Sequence, residues 1–301
     1  MKFAVLGAGF IGLNFIYEAE SQGYSVAVLD HKVCPPDLVG RVRWIQGDLS
    51  QEQSVTQVVA DSEVVFHFIS STVPGDLVDE GVEFSKNVFA TIQLLKICVQ
   101  QKIRRIVFVS SASVYGIQSQ FPILESAQTN PISSHGVHKL AIEKYLYLYN
   151  MHYGLDYKIV RLSNPYGPGQ SLDGRQGLIA IAINALLFNK PLLLRGDGED
   201  VRDFIYIENV LQVLLALPYA NFAEPIINVS SGEGYSINRV LSLLEKLVGK
   251  TFQKQYTEHR NVDIPVSILD TSLLNRLLDI GKMISLERGL QKTLMYHGLI
   301  K

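Results

Sequence analysis

A strand-like apolar run at Lys2–Gly7 leads directly into Gly7-Ala8-Gly9-Phe10-Ile11-Gly12, and a helical pattern follows at Ile11–Gln22. Few features restrict a fold as tightly as a G-x-G-x-x-G turn between a buried strand and a helix. Gly7 permits the tight turn, Gly9 lets a pyrophosphate approach the backbone, and Gly12 lets helix and strand pack closely. Phe10 and Ile11 open the helix, whose first N–H groups and positive dipole end suit phosphate oxygens. Asp30 ends the next strand-like run, Ser25–Asp30, where a carboxylate receives the ribose hydroxyls of an adenine dinucleotide. A 2′-phosphate there meets like charge, so the pattern predicts NAD rather than NADP; nearby Lys32 softens that preference. Asp48, in Gly47-Asp48-Leu49, has two readings: an adenine contact at the sheet edge, or an N-cap for the following helix.

Short apolar runs continue at Val42–Gln46, Val64–Phe68, Ile106–Ser110 and Tyr157–Leu162. Helical patterns lie between them, notably Phe84–Gln100 and His138–Tyr153. Strands that are apolar throughout are buried on both faces, so this alternation predicts a doubly wound, Rossmann-type parallel sheet covered by helices. After Asn164 the texture changes to Pro- and Gly-rich turns (NPYGPGQ, LDGRQG, RGDGED, SSGEG), separated by helical patterns at about Leu178–Phe188 and Ile237–Leu247. The expected organisation is an NAD-binding domain over 1–165, joined by about 203–229, and a smaller α/β substrate lobe over 166–301.

The remaining classes fall away on simple grounds. A formal net charge of −2 and a pI near 6.4 give no basic face, which argues against a nucleic-acid partner. Three glycines interrupt the N-terminal apolar run, which reads as strand and turn rather than a signal peptide, and no other apolar run is long enough for a bilayer. Two cysteines, Cys34 and Cys98, form at most one bridge, and the usage suits a reducing cytoplasm. No metal-ligand cluster or nucleophile elbow stands out.

Several segments in order, rather than any one of them, carry a family resemblance. GAGFIG, GDL, FVSSASVYG (Phe108–Gly116), HGVHK from His135, SNPYGPGQ (Ser163–Gln170), GDGEDVRDFIYIENV (Gly196–Val210), NVSSGEGYSI (Asn228–Ile237) and RNVDIP (Arg260–Pro265) span nearly the whole chain. The chain resembles the extended short-chain dehydrogenase/reductases, in particular nucleotide-sugar 4-epimerases of the UDP-glucose 4-epimerase type. The resemblance implies that Ser111 hydrogen-bonds the reacting sugar hydroxyl. It implies that Lys139 holds the nicotinamide ribose. Asn164 then contacts the substrate diphosphate, Arg202 and Arg260 bind phosphate, and Asp263 binds ribose. Leu178 and Leu194 fall where the family lines its uracil pocket, and core packing explains them as well. For Arg202 the competing reading is an ion pair with Asp203 or Glu199.

Two departures stand out. The family tyrosine four residues before the lysine is replaced by His135, and the C-terminal Trp-x-Pro is missing. Tyrosine serves as base because neighbouring positive charge pulls its pKa down from about 10; histidine starts near 6.5 but is shorter. His135 is therefore a working base, a displaced base, the mark of a slow binding protein, or a deliberately inactivating residue. Tyr115 reads as packing or pocket-shaping, His138 as a surface or interface side chain, and His67 as a hydrogen-bonded core histidine. The resemblance also narrows the reaction: related 4,6-dehydratases carry an Asp-Glu pair where this chain has Ala112 and Ser113, so elimination lacks its acid and base. A UDP-hexose 4-epimerase is the leading expectation. The alternatives are a 4-keto-deoxysugar nucleotide reductase and a non-catalytic binding protein. In the relatives the two long helices form a four-helix contact, which implies a homodimer.

Overall fold

The computed structural model describes residues 1–71, 79–173, 177–258 and 264–301. The chain divides into two compact units, Met1–Val114 with Pro131–Arg161 and Leu214–Ile227, and Tyr115–Asn130 with Leu162–Val213 and Asn228–Lys301.

The first unit alternates strand and helix: β1 (Lys2–Leu6), α1 (Phe10–Ser21), β2 (Ser25–Asp30), β3 (Arg43–Gln46), α2 (Glu52–Val59), β4 (Val64–His67), α3 (Glu80–Phe84), α4 (Ala90–Gln100), β5 (Arg105–Ser111), α5 (Ser134–Tyr153) and β6 (Asp156–Leu162). The central sheet has seven strands in the order β10-β6-β5-β4-β1-β2-β3, where β10 is Ile226–Val229. The pairs β1–β2, β1–β4, β2–β3 and β4–β5 are parallel. Strand order reverses beside β1, and in such sheets ligands bind at the carboxyl ends of the strands at that reversal. The α/β expectation is therefore met.

Core side chains explain why β1 must be central. Phe3, Ala4, Val5 and Leu6 are fully buried, as are Val64, Val65 and Phe66 on β4. Phe15 of α1 packs at 4.3 Å from the Phe66 ring, which meets Phe3 edge-on at 5.1 Å. Each such side chain contributes about 1.5–3 kcal/mol by leaving water.

Three local features differ from the sequence expectation. The helix expected at Phe84–Gln100 begins at Glu80 and passes through a π-helical turn, Ser85–Phe89, before α4. Asn87 Nδ2 donates to the Glu83 carbonyl at 2.8 Å, and Thr91 Oγ1 to the Asn87 carbonyl at 2.5 Å. Side-chain bonds of this kind compete with the helical ladder and widen it locally. Helix α5 begins four residues before His138, because Ser133 caps it by accepting from Gly136 N–H at 3.2 Å. Asp48 does not cap α2, whose N-cap is Gln51; its carboxylate instead closes a turn, accepting from Ser50 N–H at 2.9 Å.

The second unit is built around β9 (Val201–Tyr206). It pairs in parallel with β7 (Asn164–Tyr166) and β13 (Val266–Ser267), and antiparallel with β11 (Gly234–Ser236). A separate parallel pair joins β8 (Leu192–Arg195) and β12 (Lys254–Thr257). The helices are α6 (Leu178–Phe188), α7 (Ile207–Ala216, ending in the first unit), α8 (Ile237–Val248), α9 (Ser272–Leu277) and α10 (Leu286–Tyr296). Asp203 organises the middle of this unit. Its buried carboxylate accepts from Ser231 N–H and Oγ–H at 2.9 and 2.7 Å and from Gly232 N–H at 3.1 Å. Burial pushes its pKa up while those donors hold it down, so the carboxylate is compensated by hydrogen bonds rather than a cation. Among the described residues, no helix is long and apolar enough to cross a membrane.

Candidate cofactor and active site

The glycine turn has the shape its sequence implies. Gly7 adopts φ +96°, a conformation that side chains disfavour. A Cβ on Gly12 would lie 1.9 Å from the Gly7 carbonyl oxygen, so no other residue permits this approach of α1 to β1. At Gly9 an added Cβ would meet open space. Gly9 is also the N-cap of α1, without a side-chain cap, so Phe10 and Ile11 begin a helix whose first N–H groups face outward from the turn.

Asp30 closes this turn from β2. One carboxylate oxygen accepts from Ala8 N–H at 2.6 Å and the other from Lys32 N–H at 2.8 Å, with His31 Nδ1 at 3.3 Å. Each oxygen has two lone pairs, which leaves capacity for hydroxyl donors. Asp48 is exposed, and the hydrogen bonds from Ser50 lower its pKa. Turn, helix end and carboxylate together fit a dinucleotide.

The catalytic candidates lie where β5 ends and α5 begins. Ser111 Oγ accepts from Ser113 N–H at 3.2 Å and from the Ser113 hydroxyl at 3.0 Å, leaving its own hydrogen for a ligand oxygen. Gly136 backs onto this turn, since a Cβ there would sit 2.6 Å from the Ser113 carbonyl oxygen. His135, half-buried on the first turn of α5, is thereby held next to the serine turn. Lys139 lies one turn later on the same helix face. It is buried, donates to the Val109 carbonyl at 2.7 Å, and lies 4.6 Å from the centre of the Phe108 ring. Burial lowers its pKa to about 7, against an upward pull from Glu143.

Two histidines are settled by their surroundings. His67 is the core histidine expected: Thr91 Oγ1 already donates to Asn87, so at 2.9 Å it accepts from His67 Nε2–H, which fixes the tautomer. Burial and the nearby Lys139 lower the His67 pKa to about 3, so the ring is neutral. His138, in contrast, is not a surface side chain; it is buried, with its ring 6.3 Å from that of Phe84. Tyr115 is fully buried and donates to Asn228 Oδ1 at 2.6 Å, which is a packing role.

In the second unit a cavity of about 210 Å³ is lined by Asn164, Tyr166, Leu178, Arg202, Phe204 and Ile237, among others. Asn164 Nδ2 donates to the Asp203 carbonyl at 2.9 Å. Arg202 pairs with Asp200 at 3.2 Å, an ion pair with a nearby carboxylate of the kind its competing reading supposed, though with a different residue. Leu178 faces the cavity, whereas Leu194 is a buried residue of β8 outside its lining. Arg260 and Asp263 lie outside the described residues. Among the described residues there is no metal-binding group of His, Cys, Asp and Glu.

Residues 4–230 match the model of the NAD-dependent epimerase/dehydratase family. The chain belongs to that family. A UDP-glucose 4-epimerase of Mycolicibacterium smegmatis is 27% identical over 98% of both chains. A UDP-glucuronate 4-epimerase of Thermodesulfobacterium geofontis is 30% identical over 80% of this chain and 74% of its own. The crystal structure of UDP-glucose 4-epimerase from Thermotoga maritima, solved with UDP-glucose, superposes with a TM-score of 0.92 over 99% of both chains at 27% identity.

NAD is the cofactor of this family, and the glycine turn Gly7–Gly12 with the Asp30 carboxylate beside it fits that group. Sequence reasoning missed Ser113, which fastens Ser111, and the buried trio of Ser110, Glu143 and Arg161 beneath it. The spacing of Lys139 and Glu143 at i and i+4 was visible. Their burial was not, because it depends on strands brought in from elsewhere.

Proposed function

We propose that this member of the family is a UDP-hexose 4-epimerase in which His135 does the work of the missing tyrosine. The observation that carries the reading is the conjunction at the end of β5: Ser111 with a hydrogen to donate, and Lys139 anchored two residues back on the Val109 carbonyl. His135 precedes Lys139 by one turn of α5.

NAD, when bound, would supply reversible hydride acceptance at sugar C4. The chain's own residues handle the proton. Ser111 hydrogen-bonds the C4 hydroxyl oxygen, and His135 accepts the hydroxyl proton as a neutral imidazole and later returns it. Lys139, when protonated, adds positive charge at the same end of β5, which favours the oxygen as it gains negative character. Ala112 and Ser113 carry no acid or base for elimination. In the second unit, Arg202 and Asn164 in the 210 Å³ cavity supply donors suited to a diphosphate, with Arg260 and Asp263 as further ligands.

Turnover without added nicotinamide tests the reading. Purified protein given UDP-galactose alone is expected to yield UDP-glucose, because the same cofactor is oxidised again in each cycle. A 4-keto reductase would leave UDP-galactose unchanged and would consume NADH on a keto sugar. Binding of both ligands without any turnover would favour the non-catalytic alternative.

The same reading includes a homodimer. On the outer faces of α3, the π turn that follows it and α5 lie exposed Val82, Phe84, Phe89, Val137, Leu148 and Met151. Val137, Leu148 and Met151 recur at helical spacing, forming one stripe that suits a second copy.

A further inference from the structure

We propose that Glu143 is a positioning residue for the reactive centre, fixing both the strand end that carries Ser111 and the rotation of the helix that carries His135 and Lys139. The inference rests on the reading of Ser111, His135 and Lys139 given above, and concerns how their arrangement is maintained.

Two side chains of α5, one turn apart, reach β5 at successive residues. Lys139 donates to the Val109 carbonyl at 2.7 Å, and Glu143 Oε1 accepts from the Ser110 hydroxyl at 2.6 Å. A helix fastened to a strand at two points cannot turn about its axis without breaking one of them. Ser111 follows Ser110 directly, and His135 lies one turn before Lys139, so this double fastening sets their relation. Arg161 of β6 completes it. Its Nη2 donates to Glu143 Oε2 at 2.7 Å and its Nε to Oε1 at 3.2 Å, with both side chains almost wholly buried. A buried carboxylate is tolerated only when paired and hydrogen-bonded in this way.

Glu143 also acts on Lys139 through charge. The groups facing the Lys139 ammonium are the Val109 carbonyl and Phe108 ring from β5, neutral His67 from β4, and Glu143 on its own helix. Among them only Glu143 is an anion. It opposes the desolvation that would otherwise discharge the lysine, while Arg161 pairs with its carboxylate.

The test uses Ser110→Ala and Glu143→Gln in the full-length protein. It reads kcat and KM for UDP-galactose, and NAD affinity, across pH. Ser110→Ala keeps the ion pair and loses one fastening; kcat is expected to fall roughly tenfold to a hundredfold with little change in KM. Glu143→Gln is expected to move the pH at which NAD affinity declines downward by about one unit. A merely structural role would lower thermal stability and leave that pH unmoved. Wild-type kcat in Ser110→Ala, or an unshifted NAD profile in Glu143→Gln, overturns the proposal. If Glu143→Gln does not fold, Ser110→Ala decides alone. Should the parent protein bind NAD and epimerise nothing, the functional reading falls, and the NAD profile of Glu143→Gln still decides this one.

Discussion

The Ala8 amide donates to Asp30 Oδ2 at 2.6 Å, tying the glycine turn to the carboxylate that ends the second strand. The bond joins the two halves of the proposed dinucleotide site, in which the backbone of the turn would serve the phosphates and the carboxylate a ribose. Replacing Asp30 by Asn keeps an acceptor and removes the charge. NAD is then expected to bind more weakly, and the preference for NAD over NADP to narrow by about tenfold, or ~1.4 kcal/mol. Titration of both nucleotides followed by fluorescence checks this; an unchanged ratio would remove Asp30 from the ribose site.

His135 is assigned the proton transfer. His135→Gln preserves polarity and removes the base, so kcat should drop by roughly 10²–10⁴-fold while NAD stays bound. Steady-state kinetics with UDP-galactose reads the loss. A Gln variant as fast as the parent would exclude His135 as the base.

Acid stability should carry the signature of His67. Its pKa is near 3 in the folded chain against 6.5 for the free side chain, so the ring stays neutral while the unfolded chain takes up a proton. The stability linked to this group is therefore complete above about 6.5 and is lost as pH falls from there towards 3. Denaturant melts between pH 7 and 4 should show the decline, with a shallower slope in His67→Gln. Equal slopes would mean that other groups govern acid unfolding.

The apolar stripe on α5 yields a simple expectation for assembly. Light scattering should give twice the mass of the 33.6 kDa chain, and Met151→Glu, which places a charge at a 63% exposed apolar position, should give monomer. A monomeric parent at micromolar concentration would refute the homodimer.

The first unit was legible because its signals are local. Phe3–Leu6 and Val64–Phe66 are apolar throughout, and only a strand covered on both faces calls for that. Gly7 and Gly12 each occupy a position where a side chain would collide or strain, so composition and geometry agree. What escaped depends on contacts made across the chain. Adjacent residues on a helix point about 100° apart, which says that His138 and Lys139 diverge but not that both are buried. The π turn at Ser85–Phe89 goes with two side-chain bonds, by Asn87 and Thr91, that propensity does not reveal. For Arg202 the competing reading is an ion pair with Asp203 or Glu199; the carboxylate it meets at 3.2 Å is that of Asp200, two residues back, where strand alternation brings side chains to the same face.

The most direct test follows the hydrogen on sugar C4. UDP-galactose deuterated at C4, incubated with the purified protein in ordinary water and no added nicotinamide, should yield UDP-glucose that keeps deuterium at C4 by NMR. Inversion with loss of that deuterium to water, or no inversion although NAD and UDP-galactose both bind, would contradict transient C4 oxidation at Ser111, His135 and Lys139.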